Sequence, residues 1–180
     1  MVKLINNNIG ILGGSFDPAH RGHLLISKIA LKKIKLKKIY WIVTKNNPFK
    51  DKPYFSLQNR LALAKKLVKG SKKIKVLYLD KKVKSSRSIH IINYLLKKKK
   101  MHNLYFIIGS DIFIELHKWK SWKKIVKLIK LVVFYRKGYG RKDKNSTVSK
   151  YLKNKNITYI NNKPINISST ILRNKLKKKS

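Results

Sequence analysis

Two histidines three residues apart, His20 and His23, close the stretch Gly13-Gly14-Ser15-Phe16-Asp17-Pro18-Ala19-His20-Arg21-Gly22-His23. Glycines at a strand-to-helix turn let the backbone come close to a ligand. The helix behind the turn aims free N–H groups and a partial positive charge at it, and phosphate is the usual guest. The imidazoles sit at the mouth of that turn and add side-chain groups able to stabilise negative charge. No third ligand lies near them, so the pair is not read as a metal site. Asp17 has two readings left open here: it braces the turn with Pro18, or it takes part in the site. Far downstream lies a second polar group, Ile167-Ser168-Ser169-Thr170-Ile171-Leu172-Arg173. Hydroxyls at a helix start cap its first turn and also present donors to a phosphate. Arg173, one turn on, can bridge phosphate oxygens. Alone, the second group reads as an ordinary serine cap; beside the first, it reads as the other half of a phosphate clamp.

Both groups need a scaffold that brings them together. Apolar, β-branched runs at Ile9–Leu12, Ile39–Val43, Ile74–Leu79, Leu104–Ile108, Leu131–Tyr135 and Thr158–Ile160 read as strands. Between them, Leu24–Ile34, Leu57–Lys69, Ile89–Lys99 and Trp122–Ile129 carry amphipathic helical patterns. Strands alternating with helices predict βαβ units, hence an α/β fold: a Rossmann-like, doubly wound, mostly parallel sheet with helices on both faces. Such sheets bind ligands at the carboxyl ends of their strands, near the topological switch point. The glycine stretch follows the first strand, where that rule puts a site. Lys137–Lys150 reads as a polar loop, and Lys97–Lys100 and Lys177–Lys179 as solvated helix ends. There is no internal repeat and no second-domain boundary, so residues 1–180 are expected to form one domain.

The formal net charge is +40. Such a balance invites a nucleic-acid reading, but the lysines spread along the whole chain instead of forming one stripe. Arginine, the residue of bidentate base contacts, occurs only at Arg21, Arg60, Arg87, Arg136, Arg141 and Arg173. Lys, Asn and Ile are over-used together, which looks like compositional drift, and no specific nucleic-acid target is expected. The charge should still concentrate anionic substrates near the surface. The chain has no cysteine, which excludes disulfides and thiolate zinc sites and fits a reducing compartment. No apolar run approaches the roughly 18 residues of a membrane span, and the N-terminal apolar stretch is too short for a signal peptide. A soluble cytoplasmic protein with no membrane partner is expected. Oligomeric state is not legible.

The stretch G-G-S-F-D-P-x-H-x-G-H resembles the signature of the H-x-G-H nucleotidyltransferases, which transfer adenylyl groups between ATP and a phosphate or similar acceptor. Ile167–Arg173 resembles the same family's I-S-S-T-x-I-R element, with Leu172 a conservative replacement. Gly109-Ser110-Asp111, followed by Trp119 and Trp122, resembles the G-x-D…W-x-x-W element of bacterial nicotinate-mononucleotide adenylyltransferases. Thr44–Lys50 is similar to that subfamily's substrate loop, Ser56–Leu67 with Arg60 to the helix after it, and Val133–Tyr139 to the stretch carrying an arginine near the substrate phosphate. In adenylyl transfer the acceptor phosphate is already nucleophilic at neutral pH. The protein must supply alignment and charge stabilisation, not a base.

The resemblance implies a nucleotidyltransferase of NAD biosynthesis whose partners are ATP and nicotinate mononucleotide. It makes His20, His23 and Arg173 catalytic. It places Gly13, Gly14, Ser15, Phe16, His20, His23, Gly109, Asp111, Ser168, Ser169, Thr170 and Arg173 around ATP, and Asn46, Asn47, Lys50, Ser88, Trp119 and Arg136 around the acceptor. Trp122 is read as core. Magnesium is expected, bound mainly through ATP phosphates because such ions keep waters and need few protein ligands. One departure stands out: many members carry a Ser-Tyr-Thr-like triplet around the pyridine carboxylate, and here the corresponding piece is Arg87-Ser88-Ile89-His90, with only the serine kept. Two alternatives stay open. A pantetheine-phosphate adenylyltransferase shares fold and chemistry but usually has Thr where His20 stands and lacks the paired tryptophans. A basic nucleic-acid-binding protein is suggested by charge alone.

Overall fold

A computed structural model describes residues 7–46, 52–98, 101, 103–139, 143–163 and 165–178. Six strands, β1 (Ile9–Gly14), β2 (Lys38–Val43), β3 (Ile74–Leu77), β4 (Leu104–Gly109), β5 (Lys130–Phe134) and β6 (Ile157–Ile160), form one sheet in the order β3-β2-β1-β4-β5-β6. All five pairings are parallel. The strands read as near-continuous apolar runs because both faces of a parallel sheet are covered. Alternate residues feed opposite cores. Ile11, Phe106, Ile108, Leu131 and Val133 point into one, with Ile91, Ile92 and Leu95 of helix α4 (Ser88–Lys97) and Ile125 and Val126 of α6 (Trp122–Leu128). Leu12, Trp41, Val43, Ile107, Val132 and Phe134 point into the other, with Ala30 of α1 (Arg21–Lys33) and Ala64 and Val68 of α2 (Leu57–Val68). The expected Rossmann-like architecture is therefore present. No described helix is long and apolar enough to cross a membrane.

The order of strands runs outward in both directions from the β1–β4 pair. The connections after these two neighbours leave in opposite directions, which opens a crevice at their carboxyl ends. Gly13 and Gly14 end β1, and Gly109 ends β4, so both glycine turns open onto it.

Several boundaries differ from expectation. Helix α1 begins at Arg21, not Leu24, because His20 caps it and draws His23 into the first turn. Strand β3 stops at Leu77, two residues short of the expected end. The short helices α3 (Asp80–Val83), α5 (Ser110–Glu115) and α7 (Thr147–Leu152), and the 3-10 turn Leu116–Lys118, had no sequence signal. None is long enough to show a 3.6-residue period. Helix α7 begins inside the expected polar loop Lys137–Lys150, where the Ser146 hydroxyl accepts from the Ser149 amide at 3.2 Å.

Gly10 in β1 is a packing requirement. A Cβ there would lie 2.8 Å from Leu36 Cδ1, 2.9 Å from Ile39 Cγ1 and 3.1 Å from Ile107 Cδ1. Gly10→Ala should cost about 1–3 kcal/mol through overpacking, read as a lower urea midpoint with an unchanged slope.

Candidate active site

A cavity of about 500 Å³ opens at the carboxyl ends of β1 and β4. Every expected site residue within the described part of the chain lies on its wall: Gly13, Gly14, Ser15, Phe16, His20, His23, Asn46, Ser88, Gly109, Asp111, Trp119, Arg136, Ser168, Ser169, Thr170 and Arg173. Asn47 and Lys50 lie outside the described residues.

The histidines are locked by backbone. His20 is the N-cap of α1, and its Nδ1 accepts from the Gly22 amide at 3.1 Å. His23 Nδ1 accepts from the His20 amide at 3.2 Å. A nitrogen that accepts carries no proton, so in each neutral ring the hydrogen sits on Nε2. Burial, and then the positive charge of Arg136, lower the His20 pKa to about 4. Neutral pH therefore finds His20 uncharged, an N–H donor and not an acid. Gly22 makes this geometry possible, since a Cβ there would sit 2.9 Å from His20 Nδ1 and Cε1. The ring of Phe16, buried at a left-handed φ of 48°, stacks on Trp41 at 5.1 Å and meets His23 at 4.8 Å. A non-glycine residue in that region costs on the order of 1 kcal/mol or more, and here the ring is held between two aromatic neighbours. Trp41 in turn donates to Ser27 Oγ at 2.9 Å, and Ser27 donates to the His23 carbonyl at 2.8 Å. Strand β2 thus supports the first turn of α1 through a polar relay.

Arg60 of α2 ties the loops together from below. Its guanidinium donates to the carbonyls of Ser15 and Thr44, each at 2.7 Å, of Lys45 at 2.9 Å and of Phe55 at 3.1 Å. Burial pulls its pKa down, and the charges of Asp17 and Asp80 oppose that pull. Asp17 accepts from the Tyr54 and Phe55 amides, each at 2.8 Å, and its Oδ2 lies 3.6 Å from Arg173 Nη1, so it braces the loop before α2 and also pairs with a cation of the cavity wall. Asp80 accepts from the Lys45 amide at 2.7 Å; burial raises its pKa.

Helix α8 (Ser169–Lys177) closes the opposite wall. Ser168 caps it, accepting from Ile171 N at 3.2 Å. Ser169 Oγ donates to the Pro18 carbonyl at 3.0 Å, and Arg173 Nη1 donates to the Asp17 carbonyl at 2.8 Å. The two distant polar groups of the sequence therefore face one another across one cavity. Beside them Asp111 is ion-paired with Arg136. Gly109 leaves the space that the Asp111 carboxylate folds into, because a Cβ there would lie 2.4 Å from Asp111 Oδ1. Trp119 packs edge-on to Phe106 with centroids 6.1 Å apart while lining the cavity. Trp122 instead packs against Tyr151, at 5.0 Å.

Sequence reasoning missed Arg87, Lys118 and Lys120 on the wall, and the buried anchor Asp80. It noted Arg60 only as part of a similar helix. A usable signal existed: six of the 46 basic residues are arginine, and four of those six, Arg60, Arg87, Arg136 and Arg173, line the cavity or brace its loops. Among the described residues there is no group of three or more His, Cys, Asp or Glu side chains placed to hold a metal ion.

Residues 11–175 match the cytidylyltransferase-like family. A probable nicotinate-nucleotide adenylyltransferase from Pelagibacter ubique is 47% identical, over 96% of this chain and 99% of the relative. One from Aquifex aeolicus is 32% identical over 89% and 98%. Among solved structures, Plasmodium falciparum nicotinic acid mononucleotide adenylyltransferase complexed with APC superposes with a TM-score of 0.74 at 19% identity, covering 93% of this chain and 82% of that one.

Two outcomes follow from the locked imidazoles. Nitrogen-15 NMR of the free protein should show His20 as the Nε2–H tautomer, titrating near pH 4 and not near 6.5. Because the unfolded chain takes up that proton first, His20 stability is lost as pH falls from about 6.5 toward 4. Gly22→Ala should push the His20 ring off its cap and lower kcat about 10²-fold while leaving the far-ultraviolet dichroism unchanged.

Proposed function

The chain belongs to the cytidylyltransferase-like family, and from that membership we infer that it transfers AMP from ATP to nicotinate mononucleotide, releasing pyrophosphate and forming deamido-NAD. The observation that carries the chemistry is the convergence of the His20–His23 turn and the α8 start on one cavity. The acceptor follows from the near full-length likeness to relatives named for nicotinate nucleotide. That likeness disfavours both the pantetheine-phosphate and the nucleic-acid readings.

In this reading an oxygen of the acceptor phosphate attacks the α-phosphorus of ATP. The bond from that phosphorus to the oxygen bridging toward the β-phosphate breaks, and the electron pair leaves with pyrophosphate. His20 and His23 donate Nε2–H bonds to phosphoryl oxygens, where charge develops. Nδ1 of each is occupied by backbone, so neither serves as base. The Gly13–Phe16 backbone receives the nearer phosphates, and Ser168, Ser169, Thr170 and Arg173 the outer ones. Asp111 and Gly109 face the adenylate ribose. Asn46, Ser88, Trp119 and Arg136 surround the acceptor; Asn47 and Lys50, which the resemblance also assigns to it, lie outside the described residues.

Asp111 is the one carboxylate on the wall among the described residues, and Arg136 engages one of its oxygens. That donor set suits a hydrated magnesium ion that arrives on the ATP phosphates, where it would neutralise developing charge. We read residues 1–180 as one nucleotidyltransferase domain and place the protein in the cytoplasm, in keeping with a cysteine-free composition.

Pyrophosphate release should appear with ATP plus nicotinate mononucleotide. His23→Ala should lower kcat by about 10²–10³ with the fold intact. Absence of turnover with this acceptor and with its amide would remove the assignment.

A further inference from the structure

The cavity has an apolar lobe walled by Ile91 and Ile92 of α4, Phe106 and Ile108 of β4, Ile112 of α5, and Trp119. Such walls suit a flat aromatic ring. Arg87 stands at the N-cap of α4, one turn before Ile91, exposed on the same wall. It differs from the other arginines of the wall. Arg136 is held by Asp111, and Arg173 by the Asp17 carbonyl and Thr170. The Arg87 guanidinium has no hydrogen bond or ion pair among the described residues; only its backbone is engaged, the amide donating to Ser85 Oγ and the carbonyl accepting from the His90 and Ile91 amides. The wall offers no unpaired described carboxylate to it. Lysine fills nearly every other basic position of the chain, so a guanidinium here favours a planar, bidentate partner over a point charge.

We propose that Arg87 reads the carboxylate of the acceptor's pyridine ring and is the residue by which this chain prefers the acid acceptor to its amide. The inference rests on the adenylyltransferase reading above. With the ring in the apolar lobe, an in-plane carboxylate presents two acceptor oxygens at its edge, matching the two donors of a guanidinium fork. A carboxamide presents one acceptor and one donor, so its N–H₂ faces the guanidinium without a partner. Because Arg87 is exposed, the mismatch is screened by water and is worth one charged hydrogen-bonded pair, not the larger penalty of a buried one. Lys120, also on the wall and unpaired among the described residues, supplies charge without the fork.

The test is kcat/KM for nicotinate mononucleotide and for nicotinamide mononucleotide, with ATP saturating, in wild type, Arg87→Ala, Arg87→Lys and Lys120→Ala. Wild type should prefer the acid. Arg87→Ala should lose about 10- to 100-fold on the acid, chiefly in KM, and change within about twofold on the amide, with the KM for ATP kept. Arg87→Lys should recover part of the loss, and Lys120→Ala should move both acceptors alike. An equal fall on both acceptors in Arg87→Ala, retention of wild-type preference, or loss of preference in Lys120→Ala instead, overturns the role of Arg87 while leaving the adenylyltransferase reading standing. Failure of wild type on both acceptors overturns the reading and the inference together.

Discussion

One buried guanidinium sets the shape on which the cavity depends. Arg60 reaches the carbonyls of Ser15, Thr44, Lys45 and Phe55, so the segments after β1, after β2 and before α2 converge on a single cation. Asp17 and Asp80 engage amides of two of those segments. The loops are thus cross-linked by carbonyls to a positive centre and by amides to negative ones. A lysine ammonium could not span this set, because its three donors radiate from one point. A buried cation without its acceptors would also be costly. The rim of the site is held by a polar core beneath it, while the apolar cores hold the sheet and helices.

That rim supports an electrostatic arrangement suited to anionic substrates. A chain of net charge +40 needs no further cations to attract phosphate. What attraction does not supply is direction. His20 and His23 supply it as neutral donors: backbone amides fix their tautomer, Phe16 and Trp41 fix the His23 ring, and Gly22 admits the His20 ring. The Arg136 charge that helps keep His20 neutral is itself held by Asp111, so donor and cation are positioned by one connected set of contacts.

The most legible parts of the sequence were those whose residues lie together. Gly13–His23 announced a phosphate turn, and Ser168–Arg173 a matching helix start, because each is local. The two-core sheet was legible because a strand buried on both faces leaves an unbroken apolar run. The clamp around Arg60 was not, because its acceptors are carbonyls, which every residue carries, scattered from Ser15 to Phe55. The tautomers were hidden for the same reason: amides at positions 20 and 22 set them. The reason for Gly22 was equally hidden, since only the folded turn puts the His20 ring over its Cα. Helices of four to six residues left no period to detect. The rarity of arginine was an unused guide to where fork geometry matters.

The two walls of the cavity are anchored very differently. The β1 side grows out of the sheet and the Arg60 clamp. Helix α8 has no buried residue; Ile171 and Leu176 are 44% and 43% exposed. Side-chain bonds from Ser169 and Arg173 to the carbonyls of Pro18 and Asp17, and an ion pair of Arg173 with the Asp17 carboxylate at 3.6 Å, hold its start in place. Local opening free energy follows buried contact, so α8 opens more readily than the sheet. On warming, the outer-phosphate wall would detach while the sheet is still intact, and thermal inactivation would precede calorimetric melting as a separate and reversible event.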